Sequence, residues 1–266
     1  MYYELLLQGQ LVWNTQLLAG MVCLAILYAF LLKRFTNIKL YQIQSLLFFL
    51  GLGLLYVTIG SPLASISHLS FSLHMIQMSI LYFIVPPIIL LGIPYSMFNQ
   101  VIKIPKAKWK ISQSKIPLYT FAVLFLIYHI PFVLNILSQN VFMQNGYFLL
   151  LFILSFGMWW PIVSPNLRQR LRKDDMKRYA FLSGLLLMPA CMLFILTAFI
   201  DGGNNPLLNQ LTAQLCMPAQ SNSFTILPPP FNTKFDQVMA GLFMLGLHKF
   251  GLVMTFKIEN KIQQPI

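Results

Sequence analysis

The chain has 266 residues, of which 58% are hydrophobic and 9% are charged, and its mean hydropathy is +0.71. A soluble globular domain carries about 25% charged residues, so this composition excludes a water-facing surface over most of the chain. The formal net charge is +12, but the basic residues fall in short clusters between apolar segments. That pattern is typical of membrane proteins and not of a DNA-binding face. We therefore expect a lipid bilayer as the surroundings and no nucleic-acid partner.

Seven apolar segments are long enough to cross a bilayer, because about 20 apolar residues span its hydrocarbon core. They predict an all-α fold, a seven-transmembrane helix bundle in a single domain over residues 1–266. The predicted helices are 15–32, 41–60, 66–94, 117–137, 144–164, 179–200 and 235–256. The third is long and contains Pro86 and Pro87, which predict a kink or a broken turn.

Clusters of lysine and arginine follow the first, third, fifth and seventh segments, as Lys33 and Arg34 follow the first. The connections at the opposite end carry almost no basic residues, with Lys234 as the exception. The positive-inside rule then predicts an N-terminus outside the cell and a C-terminus in the cytoplasm. The longest outer connection, 201–234, is either a passive connector or a functional loop, with a surface helix predicted from Pro206.

Ionisable side chains are costly inside a membrane, so each one there is a candidate functional residue. His74 and His129 are predicted at similar depths in the outer half, and Met78 shares a helix face with His74. Asp236 lies near the outer entrance of the seventh segment. Imidazole suits copper and thioether sulfur selects Cu(I). These four residues are the predicted metal site, for a transiently bound Cu(I), and the alternative is that they only pack or bond between helices.

Other polar residues fit this site less well. His68 is predicted at the outer rim as an interfacial residue, and Cys216 in the last outer connection is a weaker candidate for a thiolate ligand. Lys249 is predicted to reach towards the cytoplasm or to pair internally. No GxSxG, HExxH, P-loop or GxGxxG motif occurs in the sequence. Paired acids and an activated nucleophile are also missing, so we do not expect an enzyme.

Four short segments occur in the order and spacing of a known family. They are HMIQM…VPPIILLGIP, YHIPFVLN, GMWWPI and DQVMAGLFM, and from about residue 60 to 245 the chain resembles the CtaG family of cytochrome c oxidase assembly factors. The resemblance implies a multi-pass protein of the bacterial plasma membrane that assists copper delivery to the Cu(B) centre of a haem–copper oxidase. It implies the catalytic subunit of that oxidase as a partner, with an extracytoplasmic copper donor protein as a second.

The chain departs from the family pattern at its histidines. The third helix of the family reads HMxxHMxL, and this chain keeps His74 and Met75 but has Met78 in place of the second histidine. The WHxP motif keeps its histidine as His129 and has Tyr128 in place of the tryptophan. The DQxxxG motif is retained. These changes are consistent with a methionine-biased Cu(I) site or with a member that no longer binds copper.

Three other functions stay open from the sequence. A copper-independent scaffold would bind the nascent oxidase subunit and use the polar residues only for helix packing. A transporter of metal or a small solute would want polar residues along its full depth, whereas the inner halves here are mostly apolar. A photoreceptor resembling the microbial rhodopsins would use Lys249 but would have an aspartate where this chain has Leu245.

Overall fold

The computed structural model describes residues 13–67, 70–101, 111–166, 169–200, 231 and 233–263. In this part of the chain all regular structure is helical and no strand occurs, so the predicted all-α class is confirmed. The elements are α1 (Thr15–Phe35), α2 (Ile43–Gly60), α3 (Leu63–Ser67), α4 (Phe71–Ser79), a π-helical turn (Ile80–Ile84), α5 (Val85–Leu91), α6 (Tyr95–Val101), α7 (Ile111–Tyr128), α8 (Pro131–Ser138), α9 (Val141–Val163), α10 (Lys173–Ile200) and α11 (Lys234–Gln263).

Six helical segments of the described chain are long and apolar enough to cross a membrane. They are Thr15–Phe35, Ile43–Gly60, Phe71–Leu91, Val141–Val163, Lys173–Ile200 and Lys234–Ile262. The predicted span 117–137 is divided into α7 and α8, and its continuous apolar part, Lys115–Tyr128, is shorter than the other six. A seventh span and the orientation of the termini stay predictions.

The segment Phe71–Leu91 is the centre of the bundle. In an apolar 18-residue stretch of this segment, 83% of the residues are buried. In the corresponding stretch of α1, only 11% are buried. Its first half, α4, packs against α11, and its second half, α5, packs against α2 and α9. Side chains of this segment are therefore enclosed by other helices, whereas α1 lies at the edge of the bundle and exposes most of its residues.

The two prolines in this central segment explain its π-helical turn. Proline has no N–H, so Pro86 and Pro87 leave the carbonyl groups of Tyr82 and Phe83 without their α-helical donors. The Trp159 indole Nε1 on α9 donates to the Tyr82 oxygen at 3.0 Å. Within the turn, the Val85 N–H bonds the Ile80 oxygen instead. The predicted break at the prolines is thus present as a π turn that a tryptophan from another helix stabilises.

The Phe83 carbonyl is covered by the close approach of α11. A Cβ atom added at Gly251 would lie 2.5 Å from the Phe83 oxygen, which is closer than real Cβ contacts come. Glycine therefore lets α11 pack directly on the π-helical turn. A Cβ added at Gly246, five positions earlier on the same helix, would meet no heavy atom within 4 Å.

Arg170, Lys173 and Lys177 make one end of the bundle basic, where α9 ends and α10 begins. There, a cavity of about 140 Å³ is lined by residues from the start of α2, the ends of α5 and α9, and the end of α11. The Tyr28 hydroxyl donates to the Gly92 oxygen at 2.7 Å and brings the end of α1 to the same place. His68, Cys216 and the helix predicted from Pro206 lie outside the described residues.

We expect Gly251→Ala to lower the free energy of unfolding by about 1–3 kcal/mol, because the new methyl group collides with a backbone oxygen that cannot move away. Gly246→Ala is the matched control and should unfold at or above the wild-type temperature, since alanine favours a helix. Thermal unfolding of the detergent-purified protein measures both. Equal unfolding temperatures for the two variants would contradict close packing of α11 on the turn.

Candidate metal site

The start of α4 is held by a carboxylate from the last helix. Asp236 on α11 accepts from the Ser70 hydroxyl at 2.9 and 3.0 Å, from the Phe71 N–H at 2.9 Å and from the Ser72 N–H at 3.2 Å. It also accepts from the Ser72 hydroxyl. A helix N-terminus has N–H groups without intrahelical acceptors and a partial positive charge, so a carboxylate there is stabilising. Asp236 therefore fixes the position of α4, on which His74 and Met75 lie.

His74 is buried one turn into α4 and contacts α7. Its Nε2 atom lies 3.0 Å from the Tyr128 hydroxyl, at hydrogen-bonding distance. The Phe148 ring from α9 lies on another side, with its centroid 6.1 Å from that of the imidazole. The tyrosine that replaces the tryptophan of the family motif thus supplies a hydrogen-bonding partner for His74.

His129 occupies the break between α7 and α8. Pro131 disfavours helical backbone at Ile130, which is extended with φ −71° and ψ 123°. The His129 N–H bonds the Leu126 oxygen at 3.0 Å instead of continuing the α-helical pattern to Phe125. The His129 side chain then satisfies the Phe125 oxygen through Nδ1 at 2.6 Å.

This hydrogen bond defines the chemistry of the second ring nitrogen. A carbonyl oxygen only accepts, so Nδ1 of His129 donates, and in the neutral imidazole Nε2 then carries a lone pair. The Nε2 atom lies 3.4 Å from the Met75 sulfur, which also presents lone pairs. Two atoms with lone pairs therefore face each other between α7 and α4.

The separation of these two atoms fits a shared metal ion. Zinc bonds of about 2.0 Å to histidine and about 2.3 Å to cysteine together reach about 4.3 Å, so an ion with bonds of similar length could contact both atoms across 3.4 Å. Imidazole and thioether are also the ligand types that suit Cu(I). Met75 is thus the sulfur that lies next to a predicted histidine ligand.

Met78 lies beside a cleft between helices. It is buried and lines a cleft of about 430 Å³ that is formed by residues of α1, α2, α3, α4, the π-helical turn and α9. The structure therefore brings His74 to Tyr128 and His129 to Met75, while Met78 faces the cleft. The carboxylate oxygens of Asp236 are directed at the start of α4.

The i+4 spacing groups Met78 with His74 in sequence, whereas the sulfur that the structure places beside His129 is that of Met75. Met75 was adjacent in sequence, and no local pattern indicates that it meets His129. Among the residues that the structure describes, no group of three or more His, Cys, Asp or Glu side chains could hold a metal ion.

His248 belongs to a separate environment. Its Nε2 atom lies 3.4 Å from the Ser183 hydroxyl on α10, and its ring lies 5.0 Å from the Phe83 ring, centroid to centroid. It therefore packs between α10 and the π-helical turn, and Lys249 next to it is exposed.

We expect Asp236→Asn to lower the free energy of unfolding by about 3 kcal/mol, because an amide nitrogen would face buried donors that now bond a carboxylate. Asp174→Asn, at an exposed position in the first turn of α10, is the control and should have little effect. Thermal unfolding in detergent measures the difference. A wild-type unfolding temperature for Asp236→Asn would show that the carboxylate does not hold α4.

Comparison with known proteins gives the family. The family model described as cytochrome c oxidase caa3 assembly factor matches residues 26–257, which is most of the chain and includes every residue of the site above. No curated protein and no solved structure matches the chain. The chain therefore belongs to the CtaG family of caa3-type cytochrome c oxidase assembly factors.

Proposed function

We propose that the chain assists the assembly of a haem–copper oxidase in the bacterial plasma membrane by holding Cu(I) and passing it to the Cu(B) centre of the catalytic subunit. The observation that carries this proposal is the pair formed by His129 Nε2 and Met75 sulfur, 3.4 Å apart. The role is one of carriage and transfer and is not catalytic. An extracytoplasmic donor protein would supply the metal.

The expected site is Cu(I) between His129 and Met75, with His74 as the third ligand. His74 is included because its imidazole contacts Tyr128, the residue before His129, and its recruitment would exchange the Tyr128 hydrogen bond for a bond to the metal. Thioether ligands hold Cu(I) without a charge of their own, which suits a metal that must leave again. Met78 and Asp236, the other two predicted ligands, have less support because each faces other partners.

We further propose seven spans, with α7 and α8 together as the fourth. The N-terminus would lie outside and the C-terminus in the cytoplasm, because clusters of basic residues follow the first, third, fifth and seventh segments of the sequence, with Lys234 as the exception. His74 and His129 would then lie in the outer half of the membrane. That location suits transfer to an oxidase subunit from a donor outside the cytoplasm.

A copper-independent scaffold is the second candidate. It is favoured by the engagement of the Asp236 carboxylate with α4 and by the lack of a three-residue His, Cys, Asp or Glu cluster among the described residues. In that case the histidines would only join helices.

A transporter is disfavoured by the aromatic side chains that pack next to the candidate site. The Phe125 ring lies 4.5 Å from the His129 ring, and the Phe121 ring stacks on Phe125 at 5.3 Å. The Phe83 ring contacts both phenylalanines. These aromatic side chains fill the space between α7 and the π-helical turn, where a conducting path from the site would have to pass.

We expect Met75→Leu to weaken Cu(I) binding by at least about a hundredfold, since losing a ligand exceeds the 10–100-fold cost of losing a ligand's supporting partner. Met78→Leu is the matched control, on the same helix and equally buried, and should bind as the wild type does. Methionine-to-leucine exchange conserves volume, so both variants should fold. Competition with a chromophoric Cu(I) chelator on detergent-purified protein measures the affinity. Equal affinities for the two variants would contradict the site.

A second experiment separates carrier from scaffold in cells. We expect His74→Gln combined with His129→Gln to reduce the copper content and activity of the oxidase to the level of a strain without this protein, while the variant remains in the membrane in normal amount. The control is Met78→Leu, which should support full activity. Normal oxidase activity with the double variant would favour the scaffold.

A further inference from the structure

A cavity at the basic end of the bundle is a candidate for a second binding site. It has a volume of about 310 Å³ and lies between the start of α10 and the end of α11. Lysines form one side of it and apolar side chains form another; its lining residues are Lys173, Met176, Lys177, Phe256, Glu259 and Asn260. The cavity is distant in the fold from His129 and Met75, and its role does not depend on copper.

The carboxylate in this cavity is already compensated. Glu259 accepts from the Arg170 guanidinium at 2.6 Å. The same arginine donates to the Ser164 oxygen through Nε at 3.2 Å and Nη2 at 2.8 Å, and so it is fixed in place. Lys173 and Lys177 therefore leave the cavity with an excess of positive charge, which favours an anionic ligand.

The two lysines are placed on one face of α10. They are four positions apart and so project from the same side of the helix, and neither Asp174 nor Asp175 lines the cavity. Both lysine side chains are exposed, although Met176 beside them is buried. The ammonium groups can thus approach a common ligand at the rim of the cavity.

The same face of α10 becomes apolar towards the middle of the bundle. Continuing in steps of four residues from Lys177, it presents Phe181 and Leu185, and both are exposed. On α11, Phe250 and Val253, which precede Phe256 in the helix, are also exposed. A cationic pocket next to exposed apolar side chains matches a molecule with an anionic head and long hydrocarbon chains.

We propose that this cavity binds the phosphate headgroup of an anionic phospholipid, with Lys173 and Lys177 pairing with the phosphate. The acyl chains extend along Phe181 and Leu185 in the membrane. Basic pockets between helices at the cytoplasmic surface bind acidic lipid headgroups by the same combination of charge and position. By holding α10 against α11, the lipid stabilises the end of the bundle at which the Arg170–Glu259 ion pair lies.

The test uses the full chain purified in detergent and depleted of lipid. Phosphatidylglycerol, phosphatidylcholine and inorganic phosphate are added separately, and binding is followed by native mass spectrometry and by the thermal unfolding temperature. We expect phosphatidylglycerol alone to bind and to raise the unfolding temperature. Lys173→Gln with Lys177→Gln should weaken its binding by about twenty-five-fold, since each lysine near a membrane surface contributes about a fivefold factor.

Two control variants make the result specific. Lys33→Gln with Arg34→Gln removes the same two charges from the same end of the bundle but outside the cavity, and should bind phosphatidylglycerol normally. Lys173→Arg with Lys177→Arg keeps the charge and should also retain the lipid. Equal weakening in the Lys33 and Arg34 variant, equal binding of phosphatidylcholine, or equal stabilisation by inorganic phosphate would each overturn the proposal.

Discussion

Three breaks or starts of helices in the described part of this bundle are held by side-chain hydrogen bonds, because a backbone polar group inside a membrane has no water to bond. The Tyr82 carbonyl, freed by Pro86, accepts from Trp159, and the Phe125 carbonyl accepts from the His129 ring. The first N–H groups of α4 donate to Asp236. The need to satisfy the backbone therefore determines where the polar side chains of the bundle point.

This constraint also connects structure to chemistry at the candidate site. The Phe125 oxygen holds Nδ1 of His129 and so directs the lone pair of Nε2 towards Met75. Metal-binding histidines generally have such a partner on the second nitrogen, which fixes the tautomer and the ring orientation. A structural hydrogen bond and a ligand role are compatible for a histidine, which has two nitrogens. They compete in Asp236, whose two oxygens both accept from α4.

The sequence was sufficient for features that depend on local physics. Apolar length located the six spans, Pro86 and Pro87 predicted a break, and four ordered motifs indicated the family that the comparison confirms. Contacts between segments that are distant in sequence could not be predicted in this way. Which face of α4 meets α7 depends on how α11 and α2 pack around it, and so the i+4 rule selected Met78 while Met75 lies beside His129. The partners of Asp236 were unpredictable for the same reason.

The clamp at the start of α4 has a consequence for the order in which the protein is made. Ser70 and Asp236 are 166 positions apart in the chain, so α4 emerges from the ribosome long before its capping carboxylate exists. Contacts between residues so distant in sequence slow folding. The helix that carries His74 and Met75 can take its final position only when the last helix has entered the membrane. A chain truncated before Asp236 would insert most of its helices and still lack a completed site.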